Sequence, residues 1–198
     1  MTLNQKLENY NIILGSKSPR RKQLLADLGI DFKISDDYFC DESYPSELEQ
    51  TKVPEYIAEQ KAKAYPFDLK DNDILITADT VVILEGKILG KPKDKAEAIE
   101  MLSMLSGKAH CVVTGVVLSA KESRHSFSVS TMVKFRELRI EEIEYYVDTF
   151  KPYDKAGSYG IQEWIGYIGI ESIDGSFFNV MGLPTQRLYS ALENFICE

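Results

Sequence analysis

The chain has 198 residues, with 31 acidic side chains against 23 basic ones and a formal net charge of −8. A hydrophobic fraction of 44% is that of a globular protein, and no apolar run approaches the roughly 20 residues of a membrane span. The acidic balance excludes non-specific duplex binding, which needs many neutralised phosphates, but it leaves room for a small phosphorylated ligand held by a few local cations.

The amino terminus, MTLNQKLENYNIILGS, lacks the charged, apolar, then small order of a signal peptide, so a cytoplasmic protein is expected. Cys40, Cys111 and Cys197 are scattered without CxxC spacing, which suggests neither disulfides nor a zinc site. Residues 11–14 read as a short apolar strand feeding a helix over 19–28. Ser18 is its N-cap and Pro19 takes the first position, where no donor is needed. Leu24, Leu25 and Leu28 make an apolar face, and Gly29 ends it. Residues 31–34 read as a second short strand, and the acidic stretch 35–51 as a loop. A helix is predicted over 54–65, opened by Pro54 and closed before Pro66. Residues 74–78 are nearly all apolar, as in a strand buried on both faces. Strands over 80–84 and 87–89 then flank Glu85-Gly86 as a tight hairpin.

Asp94 caps an amphipathic helix over 95–105 that Gly107 ends. Residues 111–118 and 126–135 read as an antiparallel pair, and 140–149 as a helix. A glycine-rich stretch follows, with β-like segments near 168–173 and 177–180. Pro184 opens a last helix to about Phe195. With no repeat and no low-complexity linker, the pattern predicts an α/β fold with a mixed sheet and a weak boundary near residue 90 or 150.

Several residues could do chemistry. Arg20 and Arg21 fall in the first turn of the 19–28 helix, where the dipole opposes cations by roughly 0.3–1 kcal/mol each. The pattern fits an anion site of converging backbone N–H groups and guanidinium forks, or else two solvated surface arginines. Asp79 ends the apolar run ILITA and precedes Thr80. A carboxylate there could hold a divalent cation or act as a general base on water, or merely close its own turn. Lys61 and Lys63 point about 200° apart on a helix, so at most one faces a given site. Lys91, held extended by Pro92, could reach a pocket or stay in solvent. Gln162, after Asp154, Lys155, Gly157 and Gly160, carries a donor and an acceptor suited to a base edge or a neighbouring strand. Glu42 is an acid in the loop that could complete a metal site. There is no GxxxxGK loop and no GxGxxG after a strand. His110 and His125 share no ligand spacing and read as structural or surface residues, while Trp164 and the eleven tyrosines default to packing.

Taken together, GSKSPRR at 15–21, KAKA at 61–64, ADTVV at 78–82, GKP at 90–92, LSGKAHCVVTGV at 105–116, FREL at 135–138, DKAGSYGIQ at 154–162 and GSFFNVMGLP at 175–184 resemble the Maf family of nucleoside triphosphate pyrophosphatases. The motifs run in order over nearly the whole chain. The resemblance implies a single domain over 1–198 with a two-lobed Maf/inosine-triphosphatase-like fold, a long mixed β-sheet and a cleft between lobes. It implies hydrolysis of a nucleoside triphosphate to the monophosphate and pyrophosphate with a divalent cation, Mg2+ or Mn2+. The family is commonly homodimeric, while the charge and the absence of a long apolar run lead to the expectation of no nucleic-acid or membrane partner.

Residue by residue, the resemblance makes Asp79 the proton acceptor. Ser16, Arg20, Arg21, Lys61 and Lys91 would line the phosphate site, and Glu42 would sit near the metal with Asp79. The ending YGIQ at Gln162 resembles the branch acting on dTTP and UTP rather than the one acting on 7-methyl-GTP, and Arg20, Thr80 and Gln162 occupy its base-selectivity positions. A non-catalytic nucleotide-binding regulator of cell division would keep the arginines but need no carboxylate at 79. Two residues depart from the family pattern. Gly15 stands where alanine is usual, a change expected to be harmless because glycine adopts any backbone that alanine can. Gln60 stands where an acid is frequent, which removes one potential metal carboxylate.

Overall fold

The computed structural model describes residues 1–197. Its strands are β1 (Asn11–Leu14), β2 (Lys33–Ile34), β3 (Asp73–Leu84), β4 (Lys87–Leu89), β5 (Ala109–Ser119), β6 (Arg124–Phe135) and β7 (Ile170–Asp174). Its helices are α1 (Leu3–Leu7), α2 (Pro19–Asp27), α3 (Val53–Lys63), α4 (Lys95–Leu105), α5 (Ile140–Phe150), α6 (Trp164–Gly169), α7 (Phe177–Met181) and α8 (Thr185–Phe195). The strands form one mixed sheet in the order β2-β1-β3-β5-β6-β7, with β4 beside β3. β1 runs parallel to β2 and β3, whereas β4 and β7 are antiparallel to their neighbours. The α/β class read from the sequence is therefore the class observed. Among the described residues no helix is long and apolar enough to cross a membrane.

The chain forms two compact units, and it changes unit after Asp79, Val113, Val129 and Met181. Three of these points fall inside β3, β5 and β6, where composition gives no linker signal. Neither residue 90 nor residue 150 marks a change.

The first unit takes residues 1–79, 114–129 and the segment from Gly182. Its core packs Ala58 and Ala62 of α3 on Ile13, Leu75 and Val117. α3 seats on β5 at Gly115, where a Cβ would lie 2.2 Å from the backbone nitrogen of Glu55. Only glycine permits that approach. The Glu55 carboxylate then accepts from the hydroxyls of Ser126 (2.7 Å) and Ser128 (2.9 Å), which fixes the start of the helix.

The second unit takes residues 80–113 and 130–181. Glu85 and Gly86 turn β3 into β4 with φ of 50° and 74°, the primed turn expected between antiparallel strands. His110 is buried, its Nε2 2.7 Å from the Tyr159 hydroxyl and its ring stacked on Phe135. Burial lowers its pKa to about 4, so this histidine is a core residue.

Three expectations are corrected. The segments at 74–78 and 80–84 are one strand, β3, so Asp79 lies within it rather than at its end. The segment near 168–173 begins as α6, and strand pairing starts only at Ile170. The segment near 177–180, read as β-like from its aromatic and branched side chains, is helix α7. Gly175, at φ 130°, breaks the path from β7. The Ser176 hydroxyl then accepts from the backbone of Asn179 at 3.3 Å. Buried Asn179 donates to the Val112 carbonyl (3.1 Å) and the Thr131 hydroxyl (3.0 Å). These local bonds outweigh the strand propensity of the run.

Candidate active site

In the first unit β1 ends at Leu14, paired with Ile76, and the backbone nitrogen of Gly15 still bonds the Ile76 carbonyl at 2.9 Å. β3 continues past that last pair with β1. Asp79 thus stands three residues beyond the last pair with its parallel neighbour, which is where α/β sheets leave room for ligands.

The turn GSKS carries the chain from β1 into α2. Ser18 caps the helix, its hydroxyl accepting from the backbone of Arg21 at 3.4 Å. The Ser16 hydroxyl is buried and accepts from the Ser18 nitrogen (3.3 Å) and from Arg21 Nη1 (3.4 Å). Arg21 Nε donates to the Gly182 carbonyl at 2.8 Å. One of the paired arginines is therefore a buried brace between the turn and the segment that leads into α8, and the other, Arg20, is half-buried. Burial pulls the Arg21 pKa below its ordinary value. The carboxylates of Asp79 and Glu42 oppose that shift, and Arg20 adds to it. The guanidinium remains cationic.

α3 supplies the next cation. The Thr77 hydroxyl donates to the Ala58 carbonyl at 2.7 Å in a buried contact. Thr77 and Asp79 share one face of β3, and Ala58 and Lys61 share one face of α3. That bond therefore sets Lys61 against Asp79, with Nζ 2.7 Å from Oδ1 and both side chains 15% exposed. Lys61 also meets Glu42 Oε1 at 2.9 Å. Lys63 instead pairs with Glu59 at 3.6 Å on the exposed side, so only one of the two lysines faces the carboxylates.

The structure thus brings Ser16, Arg21, Lys61, Asp79 and Glu42 into one charged cluster. Among the described residues no group of three or more His, Cys, Asp and Glu is placed to hold a metal. Two carboxylates meeting at one ammonium are hard oxygen donors of the kind that bind Mg2+ jointly with substrate phosphates rather than in an all-protein cage.

Lys91, Thr80 and Gln162 belong to the second unit. Thr80 follows Asp79 directly in β3 and is half-buried. Lys91 is exposed beside buried Pro92. Its segment is tied to the glycine-rich stretch by the Gly157 nitrogen, which donates to the Gly90 carbonyl at 3.0 Å. Gly157, at φ 67°, packs where a Cβ would press on Val82 at 3.0 Å. Gln162 is half-buried, and its Oε1 is buried without a hydrogen-bond partner among the described residues.

Behind Gln162 lies a network that the sequence reading missed. The Tyr146 hydroxyl accepts from the Gly160 nitrogen at 3.0 Å and donates to Glu163 Oε2. Lys155, with only 8% of its side chain exposed, bridges Glu163 (3.1 Å) and Asp154 (2.8 Å). Burial and the Glu163 carboxylate push the Tyr146 phenol well above its usual range. Thr77 and Tyr146 were legible only as an apolar-strand residue and a helix-face aromatic, because their partners are distant in sequence.

Residues 11–195 match the family model described as Maf-like protein. A Bacteroides thetaiotaomicron protein named dTTP/UTP pyrophosphatase is 53% identical over 187 residues, 94% of this chain and 97% of that one. Proteins of the same name from Porphyromonas gingivalis and Christiangramia forsetii are 53% and 49% identical, covering 96% and 98% of this chain and the same shares of their own. A solved HAM1 protein from Coxiella burnetii superposes with a TM-score of 0.47 at 16% identity, over 93% of this chain and 99% of that one. From its ordered motifs, the full-length family match and relatives about half identical, the chain belongs to the Maf-like protein family.

Proposed function

We propose that the chain is a nucleoside triphosphate pyrophosphatase that hydrolyses dTTP and UTP to the monophosphate and pyrophosphate. The observation that carries this reading is the Asp79 carboxylate, ion-paired to Lys61 beside Arg21 and Glu42. Relatives about half identical to this chain carry the name dTTP/UTP pyrophosphatase, which supports it. A cytoplasmic location accords with the reading.

In the proposed mechanism Arg20 and the N-terminus of α2 hold triphosphate oxygens. Arg21 adds its field while bracing the turn through Ser16 and Gly182. Lys61 engages Oδ1 of Asp79, which leaves Oδ2 to accept a proton from water. The water oxygen bonds the α-phosphorus, the α–β anhydride bond breaks, and pyrophosphate leaves with the electron pair. The proton then passes from Asp79 to solvent. Glu42 and Asp79 would hold Mg2+ or Mn2+ together with the phosphates, and the ion would neutralise their charge. Positioning and electrostatics supply most of the gain, as expected for transfer at phosphorus. Gln162, with its unpartnered buried acceptor, would read the pyrimidine edge with Thr80.

The test is pyrophosphate release from dTTP, UTP, CTP, GTP and 7-methyl-GTP with Mg2+ or Mn2+. Turnover confined to dTTP and UTP is expected. Turnover of 7-methyl-GTP alone overturns the substrate assignment, and tight nucleotide binding without pyrophosphate identifies a non-catalytic regulator.

A further inference from the structure

Gly15 immediately precedes Ser16, yet its φ is outside the left-handed region, so backbone conformation does not require a glycine there. Space does. A Cβ at position 15 would lie 2.7 Å from the Tyr38 hydroxyl oxygen, 3.0 Å from Thr77 Cγ2 and 3.3 Å from Leu75 Cδ1. The phenol thus fills the volume that a side chain at 15 would take. Its hydroxyl is buried and finds no hydrogen-bond partner among the described residues, so shape, not a polar bond, seats it. The ring stands edge-on to Tyr65 at 5.8 Å, and Tyr65 stands edge-on to Phe67 at 5.6 Å. Burial raises the phenol pKa to about 12, so the group is neutral wherever the protein works.

Tyr38 lies in the stretch 35–49, which has no regular structure of its own. Upstream, Asp36 pairs with Lys22 at 2.9 Å. Downstream, Asp41 closes a turn by accepting from the Ser43 nitrogen and hydroxyl, both at 2.9 Å, and Glu42 reaches Lys61. The ion pairs at either end are partly exposed, Glu42 at 50%, and such pairs contribute little order by themselves. The half-buried Tyr38 side chain between them, with its hydroxyl buried, is the anchor that remains.

We infer that Tyr38, seated over Gly15, is a positioning residue that fixes the 35–42 segment against the GSKS turn and so delivers Glu42 to Lys61. The inference rests on reading Lys61, Asp79 and Glu42 as the reacting end of the site. In this chain the glycine leaves the space that the Tyr38 phenol takes.

The test measures kcat and KM for dTTP with Mg2+, and the thermal melt, for Gly15→Ala, Tyr38→Phe and the double variant. Misplacing a group by an ångström can cost about 10²-fold, so Gly15→Ala should lose at least about tenfold in kcat/KM. Tyr38→Phe alone, which deletes an unpartnered oxygen, should stay within about threefold of the parent. The double variant, with the contact to the phenol oxygen removed and only the milder ones to Thr77 and Leu75 left, should recover most of the loss. An unimpaired Gly15→Ala, or a loss that Tyr38→Phe does not rescue, overturns the inference. If Gly15→Ala does not melt cooperatively, Tyr38→Ala and Glu42→Gln decide. Their losses should not add, because one acts through the other, and additive losses overturn the inference. Full turnover by Lys61→Ala would overturn the underlying reading as well, whereas an impaired Lys61→Ala beside an unimpaired Gly15→Ala overturns only the inference.

Discussion

Lys61 Nζ lies 2.7 Å from Asp79 Oδ1, and the Thr77 hydroxyl bonded to the Ala58 carbonyl holds the two elements in that register. The pair is a product of packing between α3 and β3, not of proximity in the chain. Lys61→Ala should lower kcat by about 10²-fold, the usual loss for one preorganised electrostatic group. Its melting temperature should move by only a few degrees, because both side chains still reach water. Steady-state kinetics and a thermal melt on the same sample check both halves.

The two arginines should separate. Arg21→Lys cannot serve both the Gly182 carbonyl and the Ser16 hydroxyl. It should cost about 2 kcal/mol of stability as well as activity. Arg20→Ala should raise KM about tenfold, as expected for a lost charge-assisted phosphate contact, with a smaller loss of stability than Arg21→Lys.

Gln162→Ala removes the buried acceptor proposed to read the base. The ratio of kcat/KM for UTP over CTP should fall by at least about tenfold, since sites built on such bonds discriminate by much more. An unchanged ratio would assign base selection elsewhere.

Acid should destabilise the fold in two windows. His110 has its folded pKa lowered from 6.5 to about 4 by burial. The unfolded chain therefore binds the extra proton first, and stability falls as pH drops from about 6.5 to about 4, by on the order of 2–3 kcal/mol. Glu142 is held at about 2, chiefly by Arg136, with the Arg139 backbone adding. Its contribution is full above about 4.5 and lost as pH falls toward 2, on the order of 1–2 kcal/mol after solvent screening. His110→Gln should flatten the upper window alone in thermal melts taken from pH 7 to pH 3.

Much of this was legible in the sequence. Ser18, Pro19 and Gly29 bound α2, Asp94 opens α4, and Glu85-Gly86 turns β3 into β4, because caps and turns act within a few residues. The opposed directions of Lys61 and Lys63 also follow from helix geometry. What escaped depends on distant partners. Asp79 read as a strand end because its own carboxylate interrupts the apolar run before the segment at 80–84, yet β3 continues through it. The run at 177–180 read as strand until Asn179, buried against Val112 and Thr131, turned it into helix. Arg21 read as one of two like arginines, and only the fold gives it the Gly182 carbonyl.

The most direct test of the account is release of pyrophosphate and thymidine monophosphate from dTTP by the parent chain and by Asp79→Asn, side by side. The parent should form the two products in equal amounts. The variant, folded and still able to bind dTTP, should be slower by about 10²–10⁴-fold. Turnover by Asp79→Asn near that of the parent, or release of phosphate and thymidine diphosphate in place of pyrophosphate and the monophosphate, would contradict the account.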